Sequence, residues 1–247
     1  EPLRNLTRTI DWQQFIPGFF IRWNVKNTFI QLDRELFNKD YQQYYLPDES
    51  KPKNIGEPFF LKRFFSQKGI ILVHGYMAAP EEVRPLADYL HQKGYNVYGV
   101  RLRGHGTAPE DLAVRNWEKW YDSTSRAYII MKSSVKKFSI AGFSMGGGIA
   151  LLQAANKPGR FASVISINAP LKLKGIAPKF APFVVAWNTL LSKIKVEKWK
   201  MEFIENDPEN PQINYGRNPV RGGYELKKMM KLVENRLPDV ADPALII

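Results

Sequence analysis

From residue 70 onward, short apolar runs alternate with segments in which apolar residues recur every three or four positions. Residues 70–73 (Ile-Ile-Leu-Val) form a continuous apolar run. Residues 80–93 place Val83, Leu86, Ala87 and Leu90 on one helical face, and Gly94 stops the pattern. The same reading predicts strands over 97–102, 138–141 and 164–167 and helices over 117–133 and 146–156, the last ended by Pro158-Gly159. In the first of these helices Trp120, Tyr121, Ala127, Tyr128 and Met131 point inward. Strict alternation of strand and helix needs crossover connections, which predicts an α/β fold with a mostly parallel sheet and helices on both faces. Upstream, residues 1–45 are rich in aromatics, among them Trp12, Phe15, Phe19, Phe20, Trp23, Phe29 and Phe37, and are interrupted at Pro17-Gly18. So many rings call for a packing partner. Residues 46–52, with two prolines and several charges, read as a linker.

The chain has 247 residues, of which 44% are hydrophobic, 13% aromatic and 24% charged. That is globular composition with one large core, and it excludes a disordered tail, a collagen repeat or a coiled coil. There is no membrane-length apolar run and no signal-peptide pattern. Zero cysteines exclude disulfides, thiolate metal sites and a cysteine nucleophile, and fit a reducing compartment, so the expected location is the cytoplasm. The net charge of +12 is spread along the chain, with one concentration at Lys172, Lys174, Lys179, Lys193, Lys195, Lys198 and Lys200 against Glu197, interleaved with Trp187 and Trp199. A solvated face on a helical insertion is the plainer reading of that stretch. Weak peripheral contact with an anionic membrane is the alternative, and nucleic acid is not expected as a partner.

Gly142-Phe143-Ser144-Met145-Gly146 has the form G-x-S-x-G and falls directly after a predicted strand and at the start of a predicted helix. A serine in so sharp a turn needs neighbours without Cβ, so that strand and helix can approach and its hydroxyl stands exposed above the sheet edge on a strained backbone. Gly147 and Gly148 prolong the glycine run, and each costs a helix about 1 kcal/mol relative to Ala, so close packing is expected there. A second constellation is the strand over 70–73 running into His74-Gly75-Tyr76-Met77, and a third is Arg103-Gly104-His105-Gly106. His74 and His105 both read as loop-shaping residues rather than as bases.

These residues together make the chain resemble the α/β-hydrolases of the carboxylesterase and monoacylglycerol lipase type, also described as serine aminopeptidase-like. The resemblance runs from about Pro58 to Ile247. It is carried by residues 69–75, Pro80-Glu81-Glu82, residues 86–90 and 94–98, Gly104-His105-Gly106, residues 109–112, Trp117, residues 142–147 and Asn168-Ala169-Pro170. It implies an α/β-hydrolase core over 56–170, a helical cap inserted over 171–236 and a return to the core over 237–247, with residues 1–55 as an N-terminal extension and linker. It further implies that Ser144 is the nucleophile, that the backbone amides of Tyr76 and Met145 form the oxyanion hole, and that His74, Gly75, Gly142, Gly146 and His105 support them.

One departure stands out. In this family the triad acid and histidine follow the serine, yet His74, His91 and His105 all precede Ser144. The last residues, 244–247, are an apolar run after Asp242-Pro243, as in the family's penultimate strand. The expectation is a fragment whose C-terminal strands, triad acid and histidine lie beyond Ile247, and which alone has little activity. Glu202, Glu205, Asp207, Glu225 and Asp239 are read as solvated surface charge. The function expected of the parent is hydrolysis of uncharged carboxylic esters or monoacylglycerols through an acyl-enzyme, with no cofactor and no metal. The alternatives are an acyltransferase using the same serine, or a catalytically dead lipid-binding module.

Overall fold

A computed structural model describes residues 17–170 and 202–247 of the protein. Helix α1 (Gly18–Tyr44) and a single turn α2 (Lys53–Gly56) precede strand β1 (Phe59–Leu61) and strand β2 (Lys68–Val73). A 3-10 turn (Pro80–Val83) runs into α3 (Arg84–Gln92), followed by β3 (Asn96–Val100), α4 (Pro109–Ala113), α5 (Trp117–Ser134), β4 (Lys137–Phe143), α6 (Met145–Asn156) and β5 (Val164–Ile167). Beyond residue 202 come β6 (Phe203–Glu205), β7 (Arg217–Pro219), α7 (Val220–Arg236) and β8 (Ala244–Ile246).

The main sheet has the order β1-β3-β2-β4-β5-β8. Only β1 runs antiparallel to its neighbour; the other pairings are parallel. Residues 69–73 of β2 are buried without a break, as a strand covered on both faces requires. Successive side chains go to opposite faces. Ile70 and Leu72 pack with Val83 and Ala87 on the α3 side, while Ile71 and Val73 join Trp120, Met131, Ile149 and Leu152 from α5 and α6. Helices on both faces of a mostly parallel sheet are what the alternation predicted.

The predicted strand over 97–102 ends at Val100, because Arg101 leaves the sheet to bond two buried carboxylates and Leu102 opens the turn through Gly104 and His105. Of the aromatic N-terminal segment, residues 18–44 form a helix of 27 residues that lies along α5. Its inward face carries Asp33, Phe37 and Asp40. Asp33 accepts hydrogen bonds from Tyr98 (2.6 Å) and Arg126 (2.5 Å), and Asp40 from Arg101 (2.6 Å), Arg103 (2.7 Å) and Arg115 (3.0 Å). Glu49, in the segment read as a linker, is bonded to Arg217, which also holds Glu110.

Of the expected helical cap, residues 202–236 contain an antiparallel strand pair, β6 with β7, as well as α7. The strands are three residues long, too short for a period to show in the sequence. The lysine- and tryptophan-bearing stretch over 172–200 lies outside the described residues. β8 adds to the sheet edge beside β5.

Candidate active site

Between the last residue of β4 and the first of α6 there is one residue, Ser144, with φ 51° and ψ −119°. A left-handed φ at a residue bearing a Cβ is strained by about 1–3 kcal/mol and persists only where its surroundings hold it. Here the Ser144 N–H donates to the Ile167 carbonyl (2.8 Å), and the Ser144 carbonyl accepts from the N–H groups of Gly147 (3.0 Å) and Gly148 (3.4 Å). The flanking glycines are sterically required. A Cβ on Gly142 would lie 2.1 Å from the Gly146 carbonyl carbon, and one on Gly146 would lie 2.3 Å from the Val73 oxygen. Strand β4, helix α6 and the end of β2 therefore meet backbone to backbone under the serine. Gly148 answers the packing expectation: a Cβ there would fall 2.7 Å from Met230 of α7. Ser144 itself is half-buried rather than fully exposed.

The loop after β2 supplies the opposite wall. A Cβ on Gly75 would stand 3.5 Å from the Ser144 Cβ, so His74, Gly75 and Tyr76 pass directly beside the serine. The Gly75 N–H donates to Glu82 Oε2 at 2.7 Å, which ties this loop to the 3-10 turn. Burial raises the Glu82 pKa above the usual carboxylate range, although the Gly75 amide opposes the shift. Tyr76 is half-buried and its hydroxyl donates to Asn218 Oδ1 at 3.0 Å. The backbone N–H groups of Tyr76 and Met145 have no acceptor among the described residues. Ser144, Gly75, Tyr76, Glu82, Asn218 and Leu226 line one cleft of about 650 Å³.

His74 and His105 sit behind this cleft. His74 is fully buried, and its ring is held from both sides: Nδ1 lies 2.8 Å from the Gly75 carbonyl and Nε2 accepts from the Leu102 N–H at 3.3 Å. That pairing fixes the neutral tautomer with the proton on Nδ1. His105 packs against His74 with ring centroids 5.1 Å apart and the planes tilted by 59°, and it abuts Tyr76 and Trp120. Burial lowers the His74 pKa to about 4, and it lowers that of His105 as well. His91 lies on α3 and its Nδ1 faces the Tyr95 carbonyl at 3.2 Å. Among the described residues, none is hydrogen-bonded to the Ser144 hydroxyl.

A pH dependence follows. The unfolded chain binds a proton at about pH 6.5 that the folded His74 refuses until about pH 4, so stability is full above that window and falls on acidification through it. His74 alone accounts for roughly 3 kcal/mol, with His105 acting in the same direction. Urea midpoints measured from pH 7 down to pH 4 should fall steadily; a flat profile would contradict neutral burial of these rings.

One reading of the acids is corrected. Glu225 is not solvated: it is buried, accepts the Trp117 N–H at 3.2 Å and pairs with Lys228 (3.1 Å), closing the start of α5 against α7. Asp242 is likewise buried and accepts the amides of Gly159 (3.2 Å) and Phe161 (2.8 Å). Neither has a local sequence signal, because each gains its partner through tertiary packing. Glu82 was visible only as part of the Pro80-Glu81-Glu82 match.

Residues 66–247 match the family described as serine aminopeptidase, S33. The chain belongs to that family. It is 28% identical over 193 residues to the thermostable monoacylglycerol lipase of Bacillus sp. (strain H-257), spanning 77% of this chain and 72% of the relative. It is 26% identical over 187 residues to a carboxylesterase of Bacillus subtilis (strain 168), spanning 75% of this chain and 66% of the relative. A structure from work on LipS and LipT, two metagenome-derived lipolytic enzymes, superposes with a TM-score of 0.67 at 25% identity, covering 82% of this chain and 76% of that one. The Paleococcus ferrophilus monoacylglycerol lipase superposes at 0.57 with 20% identity, covering 77% and 76%, and supports the fold alone. The fold is the α/β-hydrolase fold that the sequence resemblance implied. Among the described residues no helix is long and apolar enough to cross a membrane.

Proposed function

We propose that the protein hydrolyses uncharged carboxylic esters, of the short-acyl or monoacylglycerol class, through an acyl-enzyme on Ser144. The observation that carries this reading is the strained serine turn beside two unengaged backbone N–H groups, those of Tyr76 and Met145. The Ser144 oxygen attacks the acyl carbonyl, and the carbonyl electron pair moves onto oxygen. The Tyr76 and Met145 amides then donate to that oxyanion. Collapse of the tetrahedral intermediate breaks the bond to the leaving alkoxide, which takes the proton given up by the Ser144 hydroxyl and departs as the alcohol; water then cleaves the acyl–Ser144 bond, releasing the acid and returning a proton to the serine. His74 and His105 support the loop: both rings are buried, burial disfavours their protonated forms, and both nitrogens of His74 face backbone groups; no described residue is assigned the role of base. The cleft walls favour a neutral substrate, because Glu81, Glu82, Asp207 and Glu209 line them and would repel an anion. The names of the relatives, monoacylglycerol lipase and carboxylesterase, point to the same substrate class.

An apolar cap over 171–236 that lines the acyl pocket, weak contact of its lysines with anionic lipid and a cytoplasmic location belong to the same reading. Acyl transfer to an alcohol is its nearest variant. The test is rapid quenching of the full-length parent protein with p-nitrophenyl butyrate and with a monoacylglycerol, followed by mass spectrometry. A butyryl adduct on the peptide containing Ser144 is expected, with free acid as product. An adduct elsewhere, or none together with no turnover, would overturn the proposal, and ester formation with added alcohol would favour the transferase.

A further inference from the structure

A second surface lies at the far end of the sheet. β2 and β4 are parallel, with Lys68 beside Lys137 at one end and Val73 beside Gly142 at the other, so the turn between β1 and β2 is on the side remote from Ser144. There the start of α1 and residues 62–67 enclose a groove of about 500 Å³. Its rim is aromatic and exposed: Phe19 is 64% exposed, Trp23 56%, Phe64 73% and Phe65 100%. Phe65 also has φ 64°. A fully exposed ring on a left-handed backbone is doubly unfavourable in water, and burying the ring in an apolar layer would offset both costs.

The charge around these rings is of one sign. Arg22, Lys26, Lys62 and Arg63 line the same groove, and no acidic residue does. None of the four has an ion-pair partner among the described residues. Lys62 stands over the Phe64 ring, 4.8 Å from its centroid. Burial and the nearby Lys62 charge lower the Lys26 pKa, as expected of cations gathered without a counter-charge. Protruding aromatic tips require a matching hole in a protein partner, whereas the headgroup layer of a bilayer accepts them in any shape. Anionic headgroups also supply the missing counter-charge, and the chain's net charge of +12 draws it to such a surface.

We propose that this aromatic and basic surface, built by α1 and the β1–β2 turn, docks the protein on an anionic lipid bilayer. It is separate from the lysine-rich stretch over 172–200, and it stands whether or not Ser144 carries out ester hydrolysis. Docking by this end leaves the Ser144 cleft facing away from the bilayer.

The test is flotation of the full chain with vesicles of phosphatidylcholine containing phosphatidylglycerol, and with phosphatidylcholine alone, at low and high salt. Binding to the anionic vesicles that high salt weakens is expected. Arg22→Gln/Lys62→Gln/Arg63→Gln should weaken it about a hundredfold, the loss of three surface cations. Trp23→Ser/Phe64→Ser/Phe65→Ser should weaken it at least about tenfold. All six positions are remote from the cleft, so thermal unfolding and turnover of a soluble ester should be unchanged. Binding equal to wild type in both variants would overturn the proposal. So would loss of binding only in Lys193→Gln/Lys195→Gln/Lys198→Gln/Lys200→Gln, or a concentration-dependent dimer abolished by the aromatic variant in a protein that ignores vesicles.

Discussion

In the full-length parent expected from the sequence, with a base to pair with the serine, Ser144→Ala is expected to remove ester hydrolysis almost completely, lowering kcat on the order of 10⁶-fold while leaving KM and the fold nearly unchanged. The size follows from the role proposed for the hydroxyl: it forms the covalent bond, and nothing else in the cleft substitutes for it. What remains after its removal is the oxyanion hole and substrate positioning, which together hold a residual acceleration of about 10³–10⁴ over water. The fold is spared because alanine keeps the Cβ that already tolerates φ 51° at this turn, and the bonds holding the turn are backbone bonds to Ile167, Gly147 and Gly148. The measurement is steady-state turnover of a soluble ester beside a thermal melt of both proteins. Retention of more than about a tenth of wild-type turnover would place the nucleophile elsewhere, since triad-type serines never leave that much.

The sheet and the serine turn were legible in the sequence for the same reason: both are local. A strand buried on both faces reads as an unbroken apolar run, and β2 is one. A serine pressed between strand and helix demands glycine at Gly142 and Gly146, and the close backbone approaches of Gly146 and Val73 show why. His74 and His105 read as loop-shaping residues rather than as bases, and both rings are buried. What the sequence hid is what long-range partners create. Asp33 and Asp40 look like ordinary solvated acids on an aromatic helix, yet Tyr98 and Arg101, which bond them, lie 65 and 61 residues further along the chain. Glu225, 108 residues from the Trp117 amide it accepts, is hidden in the same way. Strands β1, β6 and β7 have three residues each, too few for alternation to be read.

Asp40→Ala should lower stability by about 3–5 kcal/mol, because it removes the shared carboxylate of a buried charge network, leaving Arg103 without its carboxylate and Asp111 alone to compensate Arg101 and Arg115. Asp40 is 1% exposed, and its two oxygens accept from Arg101, Arg103 and Arg115. Arg101 is itself buried and is shared with Asp111 at 3.0 Å. Burial alone would raise the Asp40 pKa; Arg101 and then Arg103 outweigh it and hold the carboxyl below the usual carboxylate range. A depressed pKa means that the stabilisation is fully present above the unfolded value near 3.8 and is lost only as pH falls through the lower folded value. At pH 7 the whole effect is therefore available to measurement by urea unfolding. A typical domain has only about 5–15 kcal/mol in total, so the variant should sit close to its unfolding threshold. Asp40→Asn separates charge from shape: it keeps the volume but not the charge, so it should cost nearly as much if Coulombic compensation dominates. The same experiment decides how α1 relates to the rest of the chain, since Asp40 is where the helix meets the turn through Gly104 that packs behind the candidate active site. A loss under about 1 kcal/mol for Asp40→Ala would mean that α1 is an accessory laid on a self-sufficient core, whereas the full loss would make it a structural part of the hydrolase fold in this protein.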